Sequence, residues 1–343
     1  MPVRSRRPCA PAPNVLGGPL WTLAGHLAGA VAGWGPLVAL ARLASPGVVG
    51  RYALELALAG PPLLAANLQL RTIFVADARD RFALAAYWRL RAVATAAALA
   101  AVAMAVAWIR PELALETALV AVIKAIDQCS DLYHGVLQKS GRLGTSAALS
   151  WLKAAAGLGP FLVALASGGG LALGLAAVAA SQAALVGLVE RPLALGPADC
   201  LPRPAGTGSA AELARQAFPA GVILLAISAK VAIPRYFLEW RTTAEALGYF
   251  AALSALPTAL ETVTGALAQA WAAPLARSFH FDRARFARLA KRLAAAGFGA
   301  SAAALALAWS GPALVGLLYG PDYGQRPGLL GWLLAAGALS SAS

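Results

Sequence analysis

The sequence predicts an all-α, polytopic membrane protein with about ten transmembrane helices in two pseudo-symmetric bundles, six then four, and its N-terminus inside the cell. Three observations predict this: the composition, apolar runs of membrane-spanning length, and basic residues that alternate between the connections. Of 343 residues, 59% are hydrophobic and only 13% are charged, and the mean hydropathy is +0.68. Soluble domains carry about 25% charged residues, so this apolar surface needs lipid as its solvent. A net charge of +13 would point to nucleic acid in a soluble protein. Here the aromatic residues sit inside the apolar runs and offer little stacking surface, so nucleic acid is not expected as a partner.

A spanning helix needs about 20 mostly apolar residues. Such stretches run over 17–41, 52–70, 92–109, 113–138, 145–166 and 170–189, and then over 215–236, 247–272, 293–310 and 327–340. The expected organisation is a basic cytoplasmic tail (1–16), a first six-helix bundle (17–189), a Pro/Gly-rich cytoplasmic connector (190–212) and a partial second bundle (213–343). With the N-terminus inside, nineteen basic residues fall on inner segments. They are densest at Arg71, Arg79, Arg81, Arg89 and Arg91 and at Arg277, Arg283, Arg285, Arg288, Lys291 and Arg292. Five fall outside: Arg42, Arg51, Arg110, Arg235 and Arg241. That bias sets orientation by the positive-inside rule, so most of the basic excess is topological. The Ser5-Arg6-Arg7 start reads as an inner basic tail, because the apolar stretch behind it is longer than a signal peptide's.

Internal repetition supports two halves. Gly50-Arg51-Tyr52-Ala53 with Pro61 is matched by Gly248-Tyr249-Phe250-Ala251 with Pro257. Asp77-Ala78-Arg79-Asp80-Arg81-Phe82 is matched by Asp282-Arg283-Ala284-Arg285-Phe286, and Arg110-Pro111-Glu112 by Gly320-Pro321-Asp322. An even number of spans per repeat starts both halves inside, which makes the repeats parallel, as in one class of transporters.

Charges at span centres cost roughly 2.5–3.5 kcal/mol and normally face a cavity or a partner. The fourth span is richest: Lys124, Asp127, Asp131, His134 and Gln138 follow at steps of three, four, three and four, which places all five on one helical face. The stripe reads either as ion-paired glue between helices or as the wall of a water-filled lumen. Two carboxylates against a single lysine favour the lumen. Lys230 and Arg235 flank Pro234 in the seventh span, and Glu261 lies mid-way along the eighth with Thr258, Thr262 and Gln269. His26 is isolated among apolar residues. Cys9, Cys129 and Cys200 have no metal-ligand spacing. No catalytic constellation appears, so neither an enzyme nor a cofactor is expected.

Several stretches resemble the polysaccharide flippases of the multidrug/oligosaccharidyl-lipid/polysaccharide exporter superfamily, which has a MATE-like fold. They are Gly50-Arg51-Tyr52-Ala53-Leu54; Ala66-Asn67-Leu68-Gln69-Leu70-Arg71 with Asp77-Ala78-Arg79; Ser130-Asp131-Leu132-Tyr133-His134-Gly135 with Gln138; Ile233-Pro234-Arg235-Tyr236-Phe237-Leu238-Glu239 with Leu247-Gly248-Tyr249-Phe250; and Leu318-Tyr319-Gly320-Pro321-Asp322-Tyr323. The resemblance implies two six-helix bundles around a cavity that opens alternately to each side of a bacterial inner (plasma) membrane. It implies an undecaprenyl-diphosphate-linked oligosaccharide as the cargo, with glycosyltransferases or a glycan polymerase as neighbours. On that reading Lys124, Lys230, Arg235 and Gln138 bind the substrate, and Asp127, Asp131 and Glu261 couple transport to an ion. Twelve or more spans are implied, so the second bundle is expected to be incomplete at Ser343. The rival readings are a multidrug/cation antiporter of the same fold, disfavoured by the absence of any acid in 17–41, and a non-transporting partner in glycan assembly.

The orientation is testable in a variant whose three native cysteines are replaced by serine. Cysteines placed at Arg79 and Arg285 should resist an impermeant thiol reagent applied to intact cells; labelling of both from outside would reverse the topology.

Overall fold

The computed structural model describes residues 17–77, 79–196, 208–258, 278, 283–324 and 327–342. Every regular element among them is helical. In chain order these are α1 (Gly17–Leu43), α2 (Pro46–Asn67), the short α3 (Leu70–Ala76), α4 (Leu84–Ile109), α5 (Ala114–Lys139) and α6 (Leu143–Ala166). α7 (Gly170–Leu185) passes through a π turn (Val186–Glu190) into α8 (Arg191–Leu195). Then come α9 (Ala210–Arg241), α10 (residues 244–258), α11 (Arg283–Tyr319), α12 (Pro321–Gly324) and α13 (Pro327–Ala342).

Among the described residues five helical stretches are long and apolar enough to cross a membrane: Trp21–Leu43, Leu84–Ile109, Leu143–Ala166, Gly170–Leu195 and Ala210–Arg241. Only 17–33% of each apolar window is buried within the protein, and Trp108 is 91% exposed. Water would not tolerate so much apolar surface; the chain has the character of an all-α, multi-pass membrane protein. At 1.5 Å per residue the 37 residues of α11 outreach a hydrocarbon core of about 30 Å, so its basic first turns continue the helix beyond the apolar part. The later part of the expected eighth span, with Glu261, lies outside the described residues.

The boundaries move in two informative places. The second span was expected over 52–70 with Arg51 in a loop, but α2 starts at Pro46, whose ring suits a first helical position, and Arg51 is helical. α2 ends early because Leu68 and Gln69 both take left-handed backbone angles, φ 52° and 50°. That conformation is costly for side chains with a Cβ, and here Asn67 Oδ1 supports it by accepting from Gln69 N at 3.1 Å. Glu190, expected to open the connector, is instead the last residue of the π turn and is fully buried.

The chain divides into two compact units, one of Met1–Gly18 with Leu54–Trp240 and one of Pro19–Ala53 with Arg241–Ser343. Both are discontinuous in sequence.

In the first unit α5 is central, packing on α3, α4, α6, α7 and α8. α9 runs antiparallel to α2: Tyr236 Oη donates to the Ala57 carbonyl, Ser228 faces Gly60, and Gly221 faces Ala65 and Leu68. At one end Arg110 bonds Glu112 and Glu239, tying the α4–α5 turn to α9. At the opposite end Lys139 Nζ donates to the Phe74 and Asp77 carbonyls at 3.0 and 2.8 Å and pairs with Asp80 at 2.7 Å. Lys139 thus caps the C-terminus of α3, where carbonyls lack helical partners.

In the second unit the repeated Gly50 and Gly248 meet. A Cβ on Gly50 would strike the Ala244 carbonyl oxygen, and one on Gly248 would strike the Pro46 carbonyl oxygen. Each glycine meets the residue four before the other, so the crossing is reciprocal, a local two-fold in which small residues let two backbones touch. Beside it Tyr249 packs edge-on against Tyr323 (ring centroids 5.0 Å), and Trp34 Nε1 donates to Tyr319 Oη.

The crossing makes a sharp prediction. Gly50→Ala or Gly248→Ala should strongly reduce the yield of folded protein in detergent, read by size exclusion and thermal melting. Gly29→Ala and Gly33→Ala, whose Cβ would meet nothing within 4 Å, should be neutral or stabilise by up to about 1 kcal/mol. A Gly50→Ala protein as stable as wild type would contradict the close approach.

Candidate functional site: the polar face of α5

The expected stripe on α5 is paired with four neighbouring helices, all in the first unit. Asp127 lies between two lysines, Lys153 of α6 at 2.8 Å and Lys124 one turn earlier at 3.6 Å. Asp131 lies between two arginines, Arg71 of α3 at 3.4 Å and Arg91 of α4 at 3.6 Å. Gln138 Oε1 accepts from Arg71 Nε and Nη2 at 3.1 and 3.0 Å. His134 leaves solvent entirely to neighbouring groups: its Nδ1 lies 2.7 Å from Ser146 Oγ and its Nε2 3.5 Å from Glu190 Oε1.

The local fold explains how these groups converge. The left-handed break after Asn67 redirects the chain into α3 and brings Arg71 against α5, where Gly135 is needed: a Cβ there would lie 3.2 Å from Arg71 Cγ. Arg91 is only 1% exposed. Its Nη1 donates to the Asn67 carbonyl at 3.0 Å and to Gln128 Oε1 at 3.3 Å. Gln128 also accepts from Thr95 Oγ1 at 2.8 Å and donates to the Leu63 carbonyl. The carbonyls freed where α2 ends are therefore satisfied by the same side chains that hold Asp131. A buried charge persists only with such partners.

The two readings of the stripe each describe part of it. From Asp131 to Gln138 the face packs on α3, α4 and the π turn as internal glue, with Arg71 and Asp131 only partly covered. At Lys124 it is open, with the lysine side chain 43% exposed and Asp127 half-buried. The charge count also changes. Lys124, Lys153, Arg71 and Arg91 meet Asp127 and Asp131, and with the Glu190 carboxylate of the same cluster included four cations face three carboxylates, a surplus of one positive charge.

The other expected residues sit apart from this cluster. Lys230 on α9 is exposed and, among the described residues, has no ion-pair partner. Arg235 is half-buried on the turn of α9 whose Tyr236 reaches Ala57. Glu261 lies outside the described residues. Sequence reasoning missed Lys153, Arg71, Arg91 and Glu190 as members of the cluster. Lys153 carried a signal, being the only charged residue in the 145–166 run; the arginines had been read only as topological charges.

No group of three or more His, Cys, Asp or Glu side chains able to hold a metal occurs among the described residues. What the cluster can do is bind an anion: two lysines at its open end offer charge-assisted hydrogen bonds.

Breaking a buried pair from one side costs about 3–5 kcal/mol. Arg91→Met should lower stability by about that much and depress the melting temperature in detergent, whereas Arg71→Met, at a partly exposed position, should cost far less. Combining Arg91→Met with Asp131→Asn should recover part of the loss. Equal melting temperatures for Arg91→Met and wild type would remove Arg91 from the supporting network.

No protein-family model, no curated protein and no solved structure matches the chain.

Proposed function

We propose that the chain is a membrane transporter that flips an undecaprenyl-diphosphate-linked oligosaccharide from the inner to the outer leaflet of a bacterial inner membrane, by alternating access of a polar cavity. The observation that carries this reading is the positive surplus on α5 inside a unit whose outer surface is apolar. Uncompensated charge in such surroundings is costly, and a diphosphate headgroup is the anion that would offset it. The glycan needs a polar path, while the polyprenyl chain remains in the bilayer against the exposed apolar faces.

In this reading Lys124 and Lys153 receive the diphosphate at the open end of the face. Asp127 holds the two lysines together and keeps them from repelling each other when the site is empty. Arg71, fixed by Asp131 and Gln138, extends the positive path toward the α3 end. Lys230 and Arg235 supply further cations along α9. Exposed Lys230 is suited to meeting a headgroup early, and half-buried Arg235 to holding one by two-point hydrogen bonding, which a lysine cannot copy.

The test is leaflet exchange of a fluorescent short-chain polyprenyl-diphosphate glycan in vesicles containing the purified protein, read by a membrane-impermeant quencher. Wild type should speed exchange above protein-free vesicles. A charge-assisted hydrogen bond contributes roughly 1.5–3 kcal/mol, so Lys124→Ala, Lys153→Ala and Lys230→Ala should each slow exchange about tenfold or more, and Lys124→Arg should largely preserve it. Exchange no faster than in empty vesicles, or unaltered in all three alanine variants, would end the flippase reading.

A further inference from the structure

We infer that His134 and Glu190 form an internal proton-binding site, and that an anion arriving at Lys124 and Lys153 loads it with a proton. This rests on the transporter reading and assigns its coupling ion, the hydrogen ion, to two residues outside the expected coupling set.

The site is built from three elements, α5, α6 and the π turn, and all four of its side chains are buried. Glu190 is 0% exposed and ends the π turn; such single-turn bulges occur frequently at functional sites, and this one reorients the last turn of the helix toward α5. His134 and Ser146 are buried, and Ser130, also buried, is the other polar neighbour of the carboxylate. The imidazole is bonded on one nitrogen to Ser146 and faces the carboxylate with the other. The 3.5 Å between Nε2 and Oε1 is long for a hydrogen bond, so the contact can tighten as its protonation changes. Among the described residues, Lys153 on α6 and Tyr133 on α5 face the carboxylate, and Arg191 on α8 and Cys129 on α5 face Tyr133. Asp131 lies one turn before His134, neutralised by its two arginines.

Charge balance singles out this pair. Asp127 and Asp131 each lie between two cations, and a carboxylate so placed gains little from a proton. Among the described residues Glu190 has only an imidazole within ion-pair distance, and imidazole exchanges its proton near neutral pH. With one proton the pair is net neutral. With none, it buries a lone carboxylate; with two, a lone imidazolium. The step that leaves both residues bonded is a single proton passing between solvent and the pair, with no other bond made or broken.

Lys153 connects the two sites. It pairs with Asp127 and stands on α6 seven residues, two turns, after Ser146, which bonds the His134 ring, so its positive field falls on the face of α5 that carries the pair. An anion on Lys124 and Lys153 cancels that field, which raises the proton affinity of the pair. Binding of the anion should therefore take up a proton, and by reciprocity its affinity should rise as pH falls.

The full-length protein in detergent would be titrated calorimetrically with a short-chain lipid diphosphate, at several pH values and in buffers of different ionisation enthalpy. Wild type should take up as much as one proton per ligand, with affinity falling by up to about tenfold per pH unit across the imidazole range. His134→Gln and Glu190→Gln should still bind at alkaline pH, with the uptake gone. Should Glu190→Gln fail to fold, His134→Gln and the double variant carry the same comparison. Unchanged proton uptake in the folded variants would overturn the inference. If wild type binds no lipid diphosphate, the flippase reading falls by itself. The proton site is then judged from the carbon-13 signal of the His134 ring, identified by its loss in His134→Gln. A ring that titrates between about pH 5 and 8, and differently in Glu190→Gln, upholds the site; a ring that never titrates overturns it.

Discussion

The first unit is organised around one constraint: α5 carries polar and charged groups along a whole face in the middle of an apolar bundle, and each of them has to be met. Burying an unpaired charge costs several kcal/mol, so the neighbours are arranged to supply counter-charges. α3 exists as a separate short helix because the chain breaks after Asn67, and that break presents Arg71 to Asp131 and Gln138. α4 brings Arg91 inward, where its Nη1 donates to the Asn67 carbonyl and Gln128 and its Nη2 pairs with Asp131 at 3.6 Å. α6 contributes Lys153 and Ser146. The π turn contributes Glu190. Lys139 then pins the far end of α3 and fixes the angle at which it meets α5.

The same arrangement divides the face by accessibility. The α3 end is partly covered, with Arg91 buried and Arg71 partly exposed, and its charges are spent on one another and on backbone carbonyls. At Lys124 the charges are reachable, and the excess there is positive. A structural role alone would need only balance; four cations around three carboxylates exceed it by one. That surplus links packing to the proposed handling of an anionic headgroup, and on the same proposal the buried pair two turns beyond Asp127 senses whether the anion is present.

Much of the helical layout was legible in the sequence because span length and apolar runs are set by the bilayer, a uniform constraint that composition reports directly. The five-residue stripe was legible too, since helical periodicity alone puts Lys124, Asp127, Asp131, His134 and Gln138 on one face. The counter-charges were not. Arg71 and Arg91 lie in a basic segment where the positive-inside rule already accounts for them, and only the left-handed turn at Leu68 and Gln69, which no proline or glycine announces, brings them to α5. Glu190 adjoins a Pro/Gly-rich stretch and looked like a connector residue; the π turn that buries it has no sequence signature. In the second half, Gly50 and Gly248 were visible as a repeat, but that each glycine seats the other's helix needed the backbone. The tyrosines at 249, 319 and 323 that carry part of the family resemblance prove to be packed aromatics.

The claim on which the functional account stands is that the open end of the α5 face binds a diphosphate anion through Lys124 and Lys153. The chain has only five lysines, Lys124, Lys139, Lys153, Lys230 and Lys291, so their amino groups can be followed individually by carbon-13 NMR after reductive methylation, which keeps the charge. On addition of a short-chain lipid diphosphate the account predicts that the Lys124 and Lys153 signals move together and saturate with the ligand, while Lys139, clasped to the end of α3, stays still. Saturable binding that leaves both Lys124 and Lys153 unmoved would contradict it.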